Sequence, residues 1–440
     1  MFGTDGVRGT PGRAPLDART ITRLGAAAAR ALGPRGVTML AARDTRESGS
    51  WIEAHLARGV AHEHGTLVSA GVLPTPAAAY LVASGAFDGG VVVSASHNPS
   101  PDNGIKVLAA DGGKASPALE AEIERRVTDA SWDVPPCDCA APEPQDLSGA
   151  YLAHAAGVLA DCAARPRLRI AVDCANGAMS RAAPEVLRRL DFDVVALNVA
   201  PDGRNINRDC GSTHPEGLQR AVIDHGCRIG LAFDGDGDRV ILVDHRGEVV
   251  DGDAMLFICA RFLNDCGRLP GNAVVATVMS NIGLEIGLRA AGVAVHRCPV
   301  GDRQVRDAMV AHGAALGGEQ SGHLIFSELL PTGDGLLTAL SVIEVIGETG
   351  RDLADLRQDL EIYPQVLINV PVRAKPDLLS EPRIASAIRG AEQTLGDAGR
   401  VLVRYSGTEP LLRVMIEGRE AAAVRQLADT VAAAAHEVLG

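Results

Sequence analysis

Aromatic residues are scarce: Phe, Trp and Tyr make up 3% of the 440 residues. Proteins that grip single-stranded nucleic acid stack bases on such rings, so a stacking platform is disfavoured. Positive charge is also short. The 42 basic residues against 55 acidic ones leave a net charge of −13, whereas nucleic-acid binding needs a basic face. A small anionic ligand stays compatible with that balance, because local charge governs a site. No apolar run approaches the roughly 20 residues a membrane helix needs. The opening Met1-Phe2-Gly3-Thr4-Asp5-Gly6 lacks the basic and then apolar stretches of a signal peptide. The nine cysteines, Cys137, Cys139, Cys162, Cys174, Cys210, Cys227, Cys259, Cys266 and Cys298, are odd in number and include no CxxC pair. A disulfide framework or zinc site is therefore not expected, and reduced thiols are. The expectation is a soluble, cytoplasmic protein with no nucleic-acid or membrane partner.

What is present is an α/β rhythm over a length that exceeds one core; length alone suggests three or four domains. Helical spacing over 16–32 precedes a strand at Val37 to Ala41 and the polar turn of Asp44 and Arg46. A helix over 50–64, a strand at Leu67-Val68 and a helix over 77–84 lead to Val91-Val92-Val93, a buried strand of β-branched residues. It runs into Ser94-Ala95-Ser96-His97-Asn98-Pro99, which puts the Ser96 hydroxyl at a strand's carboxyl end, where α/β sheets bind ligands. Asp102-Asn103-Gly104 turns the chain back, and Lys106 on the return strand lies beside that loop. Phe2 to Thr10 is too glycine-rich for a helix and reads as a flexible end or as a loop that brings Arg8 to an anion.

After a proline-rich linker at 131–148, the strand Ile229 to Phe233 ends in Asp234-Gly235-Asp236-Gly237-Asp238-Arg239 and leaves as Val240 to Val243. Three carboxylates inside an apolar hairpin repel one another unless a hard cation such as Mg²⁺ or Ca²⁺ offsets them. An EF-hand does not fit: Arg239 stands where its glycine belongs, His245 where its glutamate belongs, and the flanks are strands.

A third segment opens at Asp251. Pro299-Val300-Gly301-Asp302-Arg303 ends one of its strands, and Leu316 to Phe326 encloses Glu319-Gln320-Ser321-Gly322-His323. If this stretch is extended, Glu319, Ser321 and His323 point the same way, which suits a polyol. The last segment, from Tyr363, carries Arg404-Tyr405-Ser406-Gly407-Thr408-Glu409-Pro410 and Arg413. Hydroxyls, backbone N–H groups and flanking guanidinium groups suit a phosphate monoester; without Walker spacing, nucleotide binding is not implied. These segments give expected domains at 1–147, 148–250, 251–362 and 363–440. A nucleophile, a cation site, a hydroxyl-gripping loop and a phosphate loop together suggest phosphoryl transfer on a phosphosugar.

In this order the stretches closely resemble the α-D-phosphohexomutase superfamily across the whole chain. SASHNP at 94–99 is similar to its phosphoserine loop, DGDGDR at 234–239 to its metal loop, GEQSGH at 318–323 to its sugar loop and RYSGTEP at 404–410 to its phosphate loop. The resemblance implies three similar mixed α/β domains and a smaller C-terminal α+β domain around a central cleft. It selects Ser96 over Ser94 as the phosphorylated residue. It implies one Mg²⁺ per chain on Asp234, Asp236, Asp238 and a phosphoserine oxygen. Glu319 and Ser321 would hold sugar hydroxyls, with His323, Asp302 and Arg303 as further substrate contacts. Arg404, Ser406, Gly407, Thr408 and Arg413 would take the phosphate that is not reacting. Arg8, Lys106 and Arg239 would flank the transferring group, with Lys106 or His97 carrying the proton.

FGTDGVRG at 2–9, GDR at 301–303, Gln320 and RVMIEG at 413–418 are most similar to the bacterial amino-sugar branch. That implies an isomerase that interconverts glucosamine 6-phosphate and glucosamine 1-phosphate through a sugar bisphosphate, feeding amino-sugar nucleotide and cell-wall synthesis. The alternative is a phosphomannomutase/phosphoglucomutase. A Mg²⁺-dependent phosphatase would release inorganic phosphate, and a silent sugar-phosphate sensor would have no reason to carry phosphate on Ser96. The resemblance leaves room for a homodimer.

Overall fold

The computed structural model describes every residue except 4, 34–35, 136–141, 161, 163–166 and 407–409. The chain divides into two compact units, Met1–Met279 with Val293–Gln358, and Ser280–Gly292 with Asp359–Gly440. Among the described residues no helix is long and apolar enough to cross a membrane.

The first unit holds three sheets. In the first, Val7–Gly9, Asn103–Leu108, Gly89–Val93, Thr38–Arg43 and Thr66–Val72 lie side by side in that order. Gly89–Val93 is parallel to Thr38–Arg43 and antiparallel to Asn103–Leu108. Val91, Val92 and Val93 are buried on both faces, as a central strand requires. The second sheet runs Val249–Val250, Val240–Asp244, Ile229–Phe233, Arg169–Asp173, Asp193–Leu197, and the third Ala294–Cys298, Ala273–Thr277, Leu316–Gly318, Leu324–Phe326.

One local topology recurs. In each sheet a parallel strand ends in a polar loop and the chain returns antiparallel beside it: Val93 pairs with Ile105, Phe233 with Val240, Gly318 with Leu324. The serine, aspartate and glutamate loops thus occupy equivalent positions in three copies of one motif. No sequence repeat announces this, because only the hydrophobic pattern and the turn are shared. The second unit contains a three-stranded antiparallel sheet, Gln365–Pro371, Leu411–Gly418, Gly399–Tyr405, whose inner face packs on the helices Pro382–Leu395 and Ala421–Leu439.

Two expectations are corrected, and one element was not anticipated. Val7–Gly9 is neither a free end nor a loop but an edge strand, with Arg8 opposite Gly104. The stretch from Glu319 to His323 is a tight turn rather than extended: Gly322 N–H donates to Glu319 O at 3.0 Å, and Glu319 N–H to His323 O at 3.0 Å. Gly322 sits at φ +90°, where a side chain is strained. The buried helix Gly335–Thr349 lacks an amphipathic period in the sequence, since its buried residues face every side. Asp334 caps it, accepting from Leu336 and Leu337 N–H at 2.8 and 3.0 Å.

Candidate active site

The loop after Gly89–Val93 is held in an unfavourable shape. Ser96 has φ 51°, a region that costs a non-glycine residue about 1–3 kcal/mol unless its surroundings enforce it. Ser96 N–H donates to Ser94 Oγ at 2.9 Å, and Ser94 Oγ donates to Asp44 Oδ2 at 2.6 Å. Asp44 pairs with Arg46 at 2.9 Å, both fully buried; burial pushes the Asp44 carboxyl up despite that guanidinium. Arg46 also donates to the carbonyls of Ser96, Asn98, Pro99 and Asp102 at 3.1, 2.7, 2.6 and 3.0 Å. One buried guanidinium therefore satisfies the inward-facing carbonyls of the whole loop.

The aspartate loop meets this serine. Ser96 Oγ donates to Asp234 Oδ2 at 2.6 Å and lies 3.3 Å from His97 Nδ1. The approach depends on Gly235, where a Cβ would stand 2.5 Å from Ser96 O. The other oxygen of Asp234 accepts from Gly237 and Arg239 N–H at 3.0 and 3.2 Å. Asp236 Oδ2 accepts from Thr75 Oγ1 at 2.6 Å and from Lys106 Nζ at 2.9 Å. Lys106 is buried, with Asp5 at 3.3 Å and Asp238 at 3.7 Å as further partners. Its burial is outweighed by these carboxylates, which hold the ammonium well above its ordinary range.

Asp234, Asp236 and Asp238 are all buried, with one ligand oxygen of each within 4.8 Å of the others. The Oδ1 atoms of Asp236 and Asp238 are buried and accept no hydrogen bond among the described residues. Burial, then the charges of Asp238 and Asp236, drives Asp234 well above the carboxylate range. Asp238 is buried too, yet Lys106 and His323 hold it well below. An all-oxygen donor set with unsatisfied atoms and mutual repulsion fits a hard divalent cation.

Other expected site residues gather here. Arg8 donates to Ala95 O at 3.1 Å and Asn98 Oδ1 at 3.0 Å, and pairs with Asp5. Asp5 is half enclosed by cations: burial would raise it, but Lys106, Lys114 and Arg8 hold it far below its usual value. Arg239 Nε lies 3.7 Å from Asp238. His323 Nδ1 lies 3.6 Å from Asp238 Oδ2 in a fully buried position. Burial lowers the His97 imidazole, and Arg239 and Arg8 lower it further, so it is neutral near pH 7.

Arg303 and Ser321 show no contact with the Ser96 cluster among the described residues, whereas Asp302 joins it through Lys114, which also pairs with Asp5. Arg303 donates to Ala115 O at 2.8 Å and Glu120 at 2.6 Å, Asp302 pairs with Lys114, and Ser321 is the exposed tip of its turn. Glu319 accepts from Gly301 N–H at 3.0 Å. In the second unit Arg404 and Arg413 stand directly opposite on neighbouring strands. Lys375 Nζ donates to Ser406 O at 2.6 Å. Gly407 and Thr408 lie outside the described residues.

Sequence reasoning missed Arg46, Thr75, Asn207, Asp5, Lys114 and Lys375 as site residues. One signal was available for the lysines: the sequence has only Lys106, Lys114 and Lys375, so each departs from a strong preference for arginine. The others sit in ordinary polar turns.

Family models for phosphoglucomutase/phosphomannomutase match in succession: α/β/α domain I over residues 1–133, domain II over 149–247, domain III over 251–363 and the C-terminal domain over 367–434. The phosphoglucosamine mutase of Solibacter usitatus is 47% identical over 98% of this chain and 97% of its own length. That of Corynebacterium jeikeium is 45% identical over 100% and 99%. A solved phosphoglucomutase/phosphomannomutase family protein from Burkholderia thailandensis superposes with a TM-score of 0.82 at 26% identity, covering 99% of this chain and 98% of that one.

Proposed function

The chain belongs to the phosphoglucomutase/phosphomannomutase family, and from that premise we propose that it is an isomerase interconverting glucosamine 6-phosphate and glucosamine 1-phosphate. The full-length relatives at 45–48% identity carry that activity in their names. Ser96 carries the phosphoryl group. The free hydroxyl of the sugar phosphate attacks phosphorus, the P–Oγ bond breaks, and a bisphosphorylated sugar forms. That sugar turns end for end and returns its other phosphoryl group to Ser96 Oγ.

The observation that carries this reading is Ser96 Oγ against Asp234 at 2.6 Å inside a buried carboxylate triad. Asp234, Asp236 and Asp238, with a phosphoserine oxygen, hold one Mg²⁺, which when bound neutralises charge on the equatorial phosphoryl oxygens. Arg8, Lys106 and Arg239 supply fixed positive charge around them. Lys106 is held protonated and His97 neutral, which supports His97 as acceptor of the attacking hydroxyl's proton and Lys106 as a fixed cation. Glu319, His323 and Ser321 serve sugar hydroxyls. Asp302 and Arg303 act through their partners Lys114 and Glu120. Arg404, Ser406, Gly407, Thr408 and Arg413, joined by Lys375, bind a sugar phosphate group. The enzyme works in the cytoplasm.

The test is coupled turnover of glucosamine 6-phosphate with and without Mg²⁺, with Ser96→Ala beside the wild type and glucose 1,6-bisphosphate supplied. Activity that needs both Mg²⁺ and Ser96 supports the proposal. Full activity in Ser96→Ala would remove the phosphoserine role, and faster turnover of mannose or glucose phosphates would move the substrate assignment.

A further inference from the structure

We propose that Asn207 is a positioning residue for phosphoryl transfer at Ser96, reaching from the second sheet's loops to fix the serine against the aspartate loop. The proposal rests on the reading of Ser96 as phosphoryl carrier. Asn207 Nδ2 donates to Ser96 O at 2.9 Å and to Asn98 O at 3.0 Å. Arg46 donates to the same two carbonyls, at 3.1 and 2.7 Å, from the first sheet. Each carbonyl oxygen thus uses two acceptor sites, one for each sheet. The serine loop is pinned between the sheet that bears it and the sheet that bears Asp234.

Asn207 is itself rigidly placed. It sits at φ 57°, a conformation asparagine tolerates better than most residues. Its N–H donates to Ala175 O at 2.9 Å. Ala175 N–H and Gly211 N–H in turn donate to the two carboxylate oxygens of Asp173 at 2.9 and 3.0 Å. Asp173 closes the strand Arg169–Asp173, the direct neighbour of the strand Ile229–Phe233 that leads into Asp234. A short, stiff path therefore runs from the origin of the aspartate loop to the main chain of Ser96. Asn207 Nδ2 would also lie 2.9 Å from a Cβ at Gly235, so it fills the contact between the two loops.

The division of labour with Arg46 makes a distinctive expectation. Arg46 and Asp44 hold the loop on its own sheet, so losing Asn207 leaves the loop folded. What loosens is the distance from Ser96 Oγ to Asp234, and an ångström of misplacement between reacting groups can cost about a hundredfold in rate.

The experiment compares Asn207→Gly, which accepts the backbone conformation and deletes both donors, with Asn207→Asp, which keeps the volume and turns an acceptor toward the carbonyls. Both are assayed beside wild type and Ser96→Ala, with glucosamine 6-phosphate, Mg²⁺ and glucose 1,6-bisphosphate. The expected result is a fall in kcat of about tenfold or more, with KM and melting temperature near wild type and slower transfer of phosphate from the bisphosphate to Ser96, followed by intact mass. Wild-type kcat in both Asn207 variants beside an inactive Ser96→Ala overturns the proposal alone. A kcat loss matched by a collapse in melting temperature in both variants overturns it too, since Asn207 is then only structural. Activity retained in Ser96→Ala overturns the carrier reading and the proposal with it.

Discussion

Thr75 and Lys106 converge on one oxygen of Asp236: the Thr75 hydroxyl donates to Oδ2 at 2.6 Å and the Lys106 ammonium at 2.9 Å. The backbone closes the same contact, with Thr75 N–H donating to Asp236 O at 2.9 Å. The first helical turn of Thr75–Leu81 therefore sets the rotamer of Asp236 and leaves Oδ1 as its unsatisfied buried atom. Partners that orient ligand carboxylates typically matter about 10- to 100-fold in metal affinity. Thr75→Val, nearly the same in volume, is expected to weaken Mg²⁺ binding by about that factor. Titration calorimetry on the purified protein measures it. An unchanged affinity would mean that Asp236 needs no second partner.

Arg46 is the residue on which the serine loop's shape most depends. Its removal takes the donor from Asp102 O and one of two donors from the carbonyls of Ser96, Asn98 and Pro99, and a buried group left unsatisfied costs about 1–3 kcal/mol. Lysine cannot reproduce the planar fork. Arg46→Lys is expected to lose about 1–3 kcal/mol of unfolding free energy in a denaturant titration, with turnover lost as Ser96 leaves φ 51°. A variant as stable as wild type would show that the loop carries its own conformation.

The sequence made the strand-to-loop grammar legible because its signals are local. A valine run meets Ser94 to Pro99, apolar strands flank the Asp-Gly repeats, and two arginines bracket Ser406. What stayed hidden is partnership. Asp44 and Arg46 read as a plain polar turn, because nothing near them in sequence shows that the turn faces the Ser96 carbonyls some fifty positions on. Asn207 is further still, 111 residues from Ser96. Alternation misled at Glu319 to His323, where Gly322 at φ +90° permits a tight turn in place of a strand. Likewise Arg8 gained its register only from pairing with Gly104.

Asp334 gives a pH signature. It is fully buried, caps Gly335–Thr349, and accepts from Tyr151 Oη at 2.9 Å. Burial pushes its carboxyl up from 3.8 to about 7, against the hydrogen bonds it accepts and with the Asp238 charge adding to the rise. The native state thus binds this proton more tightly than the unfolded chain. Its contribution to stability is complete below about pH 4 and is lost as pH climbs through about 7. Asp334→Asn keeps the cap without the titration. The variant is expected to gain stability relative to wild type between pH 4 and 7, by at most about 4 kcal/mol, since one pKa unit is about 1.4 kcal/mol. Paired denaturant titrations across that window measure the difference; a constant offset would mean that Asp334 titrates normally.

Arg413 faces Arg404 across the strand pair. Like charges directly opposite on a sheet are destabilising, and a bound anion would offset that repulsion. Lys375 adds a third cation beside Ser406. A charge-assisted hydrogen bond to phosphate is worth about 1.5–3 kcal/mol, or roughly a 10- to 100-fold change in an equilibrium. Arg413→Gln is therefore expected to raise KM for glucosamine 6-phosphate by about that factor. Mg²⁺ affinity should be unchanged, because the aspartate triad belongs to the other compact unit. Steady-state kinetics on the variant, with metal affinity measured alongside, separate the two effects. A fall in kcat at unchanged KM would place Arg413 with the reacting phosphoryl group instead.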